Sequence, residues 1–477
     1  MIRSFNSSWS VAGLVLSLFI FKQSPALAKT ETFLDLSNFL SQVTKNNQSY
    51  QSSMMAAAGA EERSKEGESL FMPTLFANTL YSFDQSPKPS PAFQGTKTVF
   101  STYSLGISKN FDFGLNSKIY YMANYTSITG VAPGLVNLSS YYDTKPAIEL
   151  TYSLWRNRGS SETKAQAESM EAQALATHHT ESYRAKVTLA QAEVAYWRLA
   201  LARDVIRVQR ENLDRARKIR EWNARRVRLR LADDSDLLQA DALLKLREIE
   251  VQAALDEERT ATQSLNLARG IDSDQVTESI QSLASLVATQ APLPVRKEMR
   301  EDVLAAKEQE RAVNAASNLA IERGVPTVEV YSALSLNGHQ AELPNSIRES
   351  VQSNPMASVG LRLNVPLDFN LLQDSKRGYL KEIQAAELGF RRRVFEQDVE
   401  WEDLVKKYKE AVVRLDLTRK VEGAQKKKFT NEQERHSRGK TTVFLVLQFE
   451  QDYATAQVSR LRSEADLMNI VALMKTF

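Results

Sequence analysis

Two periodicities divide this chain. Short segments alternate apolar and polar residues with a period of two, the signature of a strand whose faces meet different surroundings. Val359, Leu361, Leu363, Val365 and Leu367 share one parity, and Gly360, Arg362, Asn364 and Asp368 the other. Ile148, Leu150, Tyr152 and Leu154 alternate with Glu149, Thr151 and Ser153 in the same way. Further strand patterns open after Pro73 and after Pro326, where Val328, Val330, Leu334 and Leu336 share a parity. Tyr103, Leu105 and Ile107, a turn around Gly114, and Ile119, Tyr121, Ala123 and Tyr125 outline one more hairpin. The alternation predicts strands over about 74–84, 100–110, 117–127 and 146–155, then about 326–336 and 357–367.

The long segments repeat every seven residues instead. Val187, Val194, Leu201 and Val208 form one coiled-coil seam, and Val394, Trp401, Tyr408 and Leu415 another. A second stripe, Leu199, Ile206 and Leu213, lies roughly 150° around the first helix, so that helix touches a neighbour on each side. Such a helix suits a wall of side-by-side helices. No Gly or Pro occurs in the 110 residues between Gly159 and Gly270, and no Pro follows Pro366. As one helix the first run would be about 165 Å long, so it is a long rod or an antiparallel hairpin.

Self-comparison favours the hairpin. Met72-Pro73-Thr74-Leu75 matches Val325-Pro326-Thr327-Val328, and Ile148–Leu154 matches Leu361–Leu367. Arg230–Asp241 (RLADDSDLLQAD) matches Gly439–Glu450 (GKTTVFLVLQFE), with the blocks in the same order in both halves. The offset falls from 253 to 213 between the first and second blocks, so the first half carries 40 extra residues there, the additional hairpin. Ala232–Asp236 and Gly439–Thr442 then read as reversals at the end of outgoing helices about 100 Å long. The fold class expected is α+β: a duplicated unit of strand hairpins and very long coiled-coil helical hairpins. The first repeat covers 29–298, with a helical hairpin over about 160–269 and a linker over about 270–298. The second covers 299–477, with its hairpin over about 371–477.

Export changes how the strands are read. Arg3 precedes an uncharged run, Val11–Phe21, and Ala26-Leu27-Ala28 follows. A run of about a dozen apolar residues before an A-x-A site reads as a signal peptide cleaved between Ala28 and Lys29, since a spanning helix needs roughly 20. Every later long segment is interrupted by charges, so only a barrel could place the mature chain in a membrane. A soluble sandwich fits the alternation alone nearly as well; the export signal tips the balance toward a barrel. The near-neutral balance of 61 basic against 58 acidic residues argues against nucleic acid as a partner. The chain has no Cys, no phosphate-binding Gly-rich loop and no G-x-S-x-G elbow, so no enzyme and no cofactor are expected.

The order of these features resembles the TolC-like outer-membrane efflux protein family. The resemblance rests on Asn46–Tyr50 (NNQSY) and Arg300–Ala306 (REDVLAA) before the two helix bodies and on the Pro-led strands. It also rests on the Val365-Pro366-Leu367-Asp368 strand exit and on the Leu-Gln-x-acid step after each tip. It covers about residues 31–477. It implies a homotrimer in a Gram-negative outer membrane, with a shared transmembrane barrel continuous with a periplasmic helical barrel. It also implies docking of a periplasmic adaptor and an inner-membrane transporter, which supplies the energy for passive exit. Outer-membrane lipid surrounds such a barrel. Arg228, Arg230, Leu231, Asp233, Asp234, Asp236, Gly439 and Lys440 fall in the tips where an adaptor would dock. Phe444, Leu445 and Gln448 fall at the constriction, where relatives commonly carry acids; apolar packing there would close the gate instead. Two other readings stay open, the outer-membrane component of a type I protein secretion system and a secreted coiled coil without a pore.

Other clusters are weaker. His178 and His179 lie about 100° apart on a helix and do not converge on one metal ion, so a solvated face is expected for them. Arg391–Arg393 and Lys426–Lys428 read as solvated faces as well, and His339 and His436 as isolated. Arg225 and Arg226 extend the basic cluster before the first tip.

Overall fold

The computed structural model describes residues 33–132, 134–283, 293–296, 299–352 and 354–477; the signal segment with Ala28 and Lys29 lies outside the described residues. In chain order, strand β1 (Phe33–Leu34) leads into helices α1 (Leu36–Asn46) and α2 (Gln48–Arg63). Asn47, from the NNQSY segment, caps α2 by accepting the Tyr50 N–H at 2.8 Å. Strands β2 (Thr74–Asp84), β3 (Lys97–Asn110), β4 (Leu115–Thr129) and β5 (Ser140–Ser153) follow, with a short helix α3 (Pro91–Gln94) between β2 and β3. Helices α4 (Ser161–Arg228) and α5 (Asp234–Ala268) then form the first hairpin, and β6 (Ser279–Ile280) lies in the linker. The second half runs α6 (Glu301–Arg323), β7 (Thr327–Leu336), β8 (Gly338–Gln340), α7 (Leu343–Gln352) and β9 (Pro355–Asn364). It ends with α8 (Phe369–Ser437) and α9 (Val443–Met474).

Six strands form one antiparallel path, β2-β3-β4-β5-β7-β9, with β8 continuing beside β5. The additional hairpin, β3–β4, therefore lies inside the sheet, paired along its whole length with β2 and β5. Strands β3 and β4 run two or three residues past their predicted ends, and two further extents change with a cause in the pairing. β5 starts at Ser140 rather than near 146, because Tyr142 and Thr144 against Asp143 and Lys145 prolong the alternation beside the end of β4. β9 stops at Asn364, whose partner Thr327 is the first residue of β7, so Val365–Leu367 have no strand to pair with.

The outgoing helices α4 and α8, of 68 and 69 residues, reach the expected length of about 100 Å. The returning helices do not. With 35 and 32 residues, α5 and α9 cover about half that length. The other half of the wall comes from α6 and α2. Arg311 of α6 reaches Glu168 and Arg323 reaches Glu162 on the near half of α4, whereas Arg203 and Arg220 on its far half pair with Glu258 and Asp241 of α5. On α8, Arg393 bridges to Asp302 of α6, and farther along Arg419 reaches Glu464 of α9.

The handover point between half-length staves is the core. Phe39, Tyr196, Trp197, Leu199, Leu265, Leu283, Leu415, Leu467 and Met468 pack there. The linker is tied into it: β6 pairs in parallel with β1, the Tyr196 hydroxyl donates to the Leu34 carbonyl at 2.9 Å, and Asp204 accepts the Leu283 N–H at 3.1 Å. Of the two predicted stripes on α4, Leu199, Ile206 and Leu213 are buried; of the other, Val208 is buried while Val187, Val194 and Leu201 are only half-buried in one chain. No helix among the described residues is long and apolar enough to cross a membrane.

Candidate functional site

Register turns the sheet into a wall with two unlike faces. Leu75, Ile107, Ile119, Ile148, Leu334 and Ala357 are successive partners across all six strands, so they form one row on one face. The same face carries Leu105, Leu150, Val330, Val359, Leu361 and Leu363, and its only charged side chains are Lys97 and Lys109 on β3. The apolar residues are exposed: Leu75 at 73%, Ile119 at 56% and Leu361 at 74%. An aromatic row, Tyr81, Tyr125 and Tyr142, crosses the loop end of this face, and Tyr152, with exposed Trp155 just beyond it, marks the helix end. The ten residue steps from Tyr142 to Tyr152, at about 3.4 Å each and a tilt near 40°, make a band roughly 26 Å tall. A lipid-facing barrel surface requires a band of about 25 Å between aromatic girdles. The opposite face carries Asp84, Lys118, Asp143, Lys145, Glu149, Glu329 and Arg362. There Tyr120 donates to Glu149 at 2.8 Å, and Lys118 sits over the rings of Phe76 and Tyr120. That contact crosses β3 at Gly106, where a Cβ would come within 2.4 Å of Tyr120 and 2.7 Å of Phe76.

At the far end the two helix reversals lie side by side. Trp222 of α4 packs on His436 of α8 with ring centroids 4.2 Å apart, and Arg226 stacks on Trp222. The first turn spans Leu229–Asp233, three residues earlier than the sequence placed it, and α5 starts at Asp234. Arg228, Arg230, Leu231, Asp233 and Asp234 are exposed and Asp236 half-buried; Gly439 and Lys440 are exposed on the second tip. Phe444 and Gln448 are exposed one turn apart on α9, with Leu445 half-buried beside them. Both turns close the same way. Leu231 N–H bonds to the Arg226 carbonyl at 2.8 Å and Lys440 N–H to Arg435 at 2.9 Å, with Arg230 (φ 56°) and Gly439 (φ 71°) in left-handed conformation between. Arg230 thus occupies the position Gly439 holds in the repeat. The left-handed well costs an L-residue roughly 1–2 kcal/mol that glycine escapes. Gly439→Ala should therefore destabilise the second tip by about 1 kcal/mol, read as faster amide exchange at Lys440. Arg230→Gly should leave the first tip at least as protected.

His436 is buried, and its Nε2 has no hydrogen-bond partner. Burial and then Arg226 push its pKa below the usual histidine value, against weaker pulls from Asp236 and Glu432. A base held below its unfolded value contributes stability above about pH 6.5 and loses it as the pH falls toward the folded value. As the pH falls from 7.5 to 5.5 the protection factors of amides at both tips, with the intrinsic pH dependence of exchange divided out, should fall, and His436→Leu should flatten that dependence.

The Leu-Gln-x-acid step proves to be an anchor. Asp241 accepts from Arg220 at 2.8 Å in the first hairpin. Its counterpart Glu450, with 0% side-chain exposure, takes Arg247 of α5 at 2.5 Å and faces Arg215 of α4 at 3.5 Å. The acid of the motif was legible; its arginines on other helices were not. The histidine pair is not on a solvated face: His178 contacts the Ala57 carbonyl at 3.0 Å, and His179 contacts Glu301 at 2.8 Å, which also takes Lys186. No group of side chains suited to a metal ion occurs among the described residues. Two members of the basic runs also have partners on other helices, Arg393 with Asp302 and Lys428 with Asp452. His339 is not isolated either, lying 2.6 Å from Asp143.

No protein-family model matches the sequence, and no curated protein matches it. Solved structures do match. The outer-membrane channel OprN aligns over 92% of this chain and 89% of its own, with a TM-score of 0.70 at 17% identity. The chain has the outer-membrane channel fold. The Campylobacter jejuni CmeC outer membrane channel covers 92% of this chain and 85% of its own, with a TM-score of 0.65 at 13% identity. The open state of the Neisseria gonorrhoeae MtrE outer membrane channel covers 92% and 88%, with a TM-score of 0.63 at 14% identity. Identity this low leaves the likeness one of architecture, and the channel fold accounts for the joining of a two-faced sheet to staves about 100 Å long.

Proposed function

We propose that three copies of this chain form an exit duct in a Gram-negative outer membrane. Small molecules leave through it passively, after an adaptor and an inner-membrane transporter dock below. The observation that carries this reading is the lipid-height apolar band on a sheet that one chain leaves open. Edge strands β2 and β9, of 11 and 10 residues, run in opposite directions and each pair on one side only. A neighbouring copy can therefore continue the antiparallel order until the barrel closes, which removes both edges. The long helices then carry the lumen across the periplasm. Energy comes from the transporter, and the chain itself catalyses nothing.

The tips are the docking surface in this reading. Asp236→Cys and Gly439→Cys introduce the chain's only thiols. Cross-linking from them in cells should capture a periplasmic adaptor. Purification of the protein as a soluble periplasmic rod would overturn the duct. Phe444, Leu445 and Gln448 form the constriction, so Leu445→Ser should raise leak conductance in planar bilayers. Unchanged conductance would place the gate elsewhere.

A further inference from the structure

We infer that the inserted hairpin β3–β4 widens the shared barrel to eighteen strands, giving an exit pore that passes cargo of polypeptide width without selecting by size or charge. The inference rests on the trimeric duct proposed above and sets the upper limit of what its membrane end can pass, from small molecules up to a polypeptide.

Three observations carry it. The first is continuity. The second half pairs its Pro-led strand β7 directly with its exit strand β9, whereas in the first half β3 and β4 stand between the equivalent β2 and β5. The row Leu75–Ile107–Ile119–Ile148–Leu334–Ala357 crosses the insertion without a step, so the added strands sit at the same membrane height as the others. The second is chemistry. A hairpin projecting into water would not keep Tyr103, Leu105, Ile107 and Ile119 more than half exposed, at 59%, 56%, 51% and 56%, on the same face as Val359 and Leu361. On the opposite face, contacts stitch the insertion to both neighbours: Lys118 to Phe76 of β2, and Tyr120 to Glu149 of β5. The third is parity. Six strands is an even number, so adding the hairpin leaves the two edges antiparallel and the barrel able to close.

Size follows from strand number. At about 4.8 Å between strands and a tilt near 40°, eighteen strands close at a backbone diameter of about 36 Å and twelve at about 24 Å. After side chains take roughly 11 Å, the lumen is about 25 Å across rather than about 13 Å. Each chain contributes Asp84, Asp143, Glu149 and Glu329 against Lys118, Lys145 and Arg362 to the charged face, a near balance that favours neither sign of cargo. Selection then falls to the periplasmic tips.

Cryo-electron microscopy of the full chain in lipid nanodiscs tests the strand number. Trimers whose barrel has eighteen strands and a diameter of about 36 Å are expected. Trimers with a twelve-strand barrel near 24 Å and the hairpin outside it would overturn the inference and leave the duct standing. The absence of trimers would remove the duct, and the inference with it. A second arm reads the pore directly. Asn78 lies on the charged-face parity of β2 and is exposed. In Asn78→Cys trimers, a maleimide carrying a polymer roughly 20 Å across should react within a few-fold of the rate of a small maleimide. Reaction with the small reagent alone would overturn the claim about cargo width.

Discussion

Glu450→Ala is expected to loosen the lower tunnel by about 3 kcal/mol. Removing the carboxylate strands a guanidinium: the Arg247 side chain is 1% exposed, so water cannot replace the lost partner. Breaking a buried pair from one side usually costs about 3–5 kcal/mol. Here Glu250, 2.6 Å from Arg247 and 27% exposed, retains part of the interaction, which places the loss at the lower end. Arg215 loses its contact at the same time, although Gln457 still accepts from it at 3.0 Å. The effect should be local, because Glu450 ties α9 to α5 and α4 below the core. Amide exchange in α5 should accelerate roughly a hundredfold while the sheet stays protected. Replacing Arg247 and Glu450 together by Met should recover most of the loss, since the desolvation cost of both charges disappears with them. If α5 exchanges at the wild-type rate in the single variant, the pair is not what holds these helices.

Ile119→Arg is expected to cost about 2–4 kcal/mol when the protein folds into a bilayer, the range for a cation near the midplane of a barrel's lipid face. Ile119 lies in the aliphatic row between the aromatic girdles and is 56% exposed in a single chain, so nothing in the protein would be disturbed by the larger side chain. The whole penalty arises from lipid. Asn78→Arg is the matched control: Asn78 is exposed on the opposite parity, on the charged face with Lys118, and the substitution should cost well under 1 kcal/mol. Urea titration of refolding into vesicles measures both. Equal penalties for the two would mean that the alternation does not separate lipid from lumen, and the soluble-sandwich reading would return.

Much of the architecture could be read from sequence because the two periodicities report burial on one side, which is set locally. Period-two alternation located all six long strands, and the heptads located α4 and α8. What escaped depends on partners distant in the chain. The hairpin bounds and their reversals already make α5 and α9 about half as long as α4 and α8; what they do not show is that the upper halves of the wall come from α2 and α6, elements whose Ala-rich sequences carry weak periodicity. The parallel pair β1–β6 involves two residues on each side, too few for any pattern. At the first tip the sequence alone puts the turn three residues late, because glycine is the usual marker of the left-handed position and Arg230 stands there instead. The basic stretch around it gave no sign that Trp222 would meet His436 across the hairpins. The surroundings of the histidine pair escape the sequence for a related reason: which face of α4 is solvated depends on α2 and α6, which pack against its near half.

The duct stands or falls on whether three copies close the sheet in a membrane. Native mass spectrometry of the protein extracted by detergent from the outer-membrane fraction tests this most directly. Three mature chains in one detergent-bound particle that dissociates only on heating is the result this account predicts. A single chain released from the periplasm without detergent would contradict it.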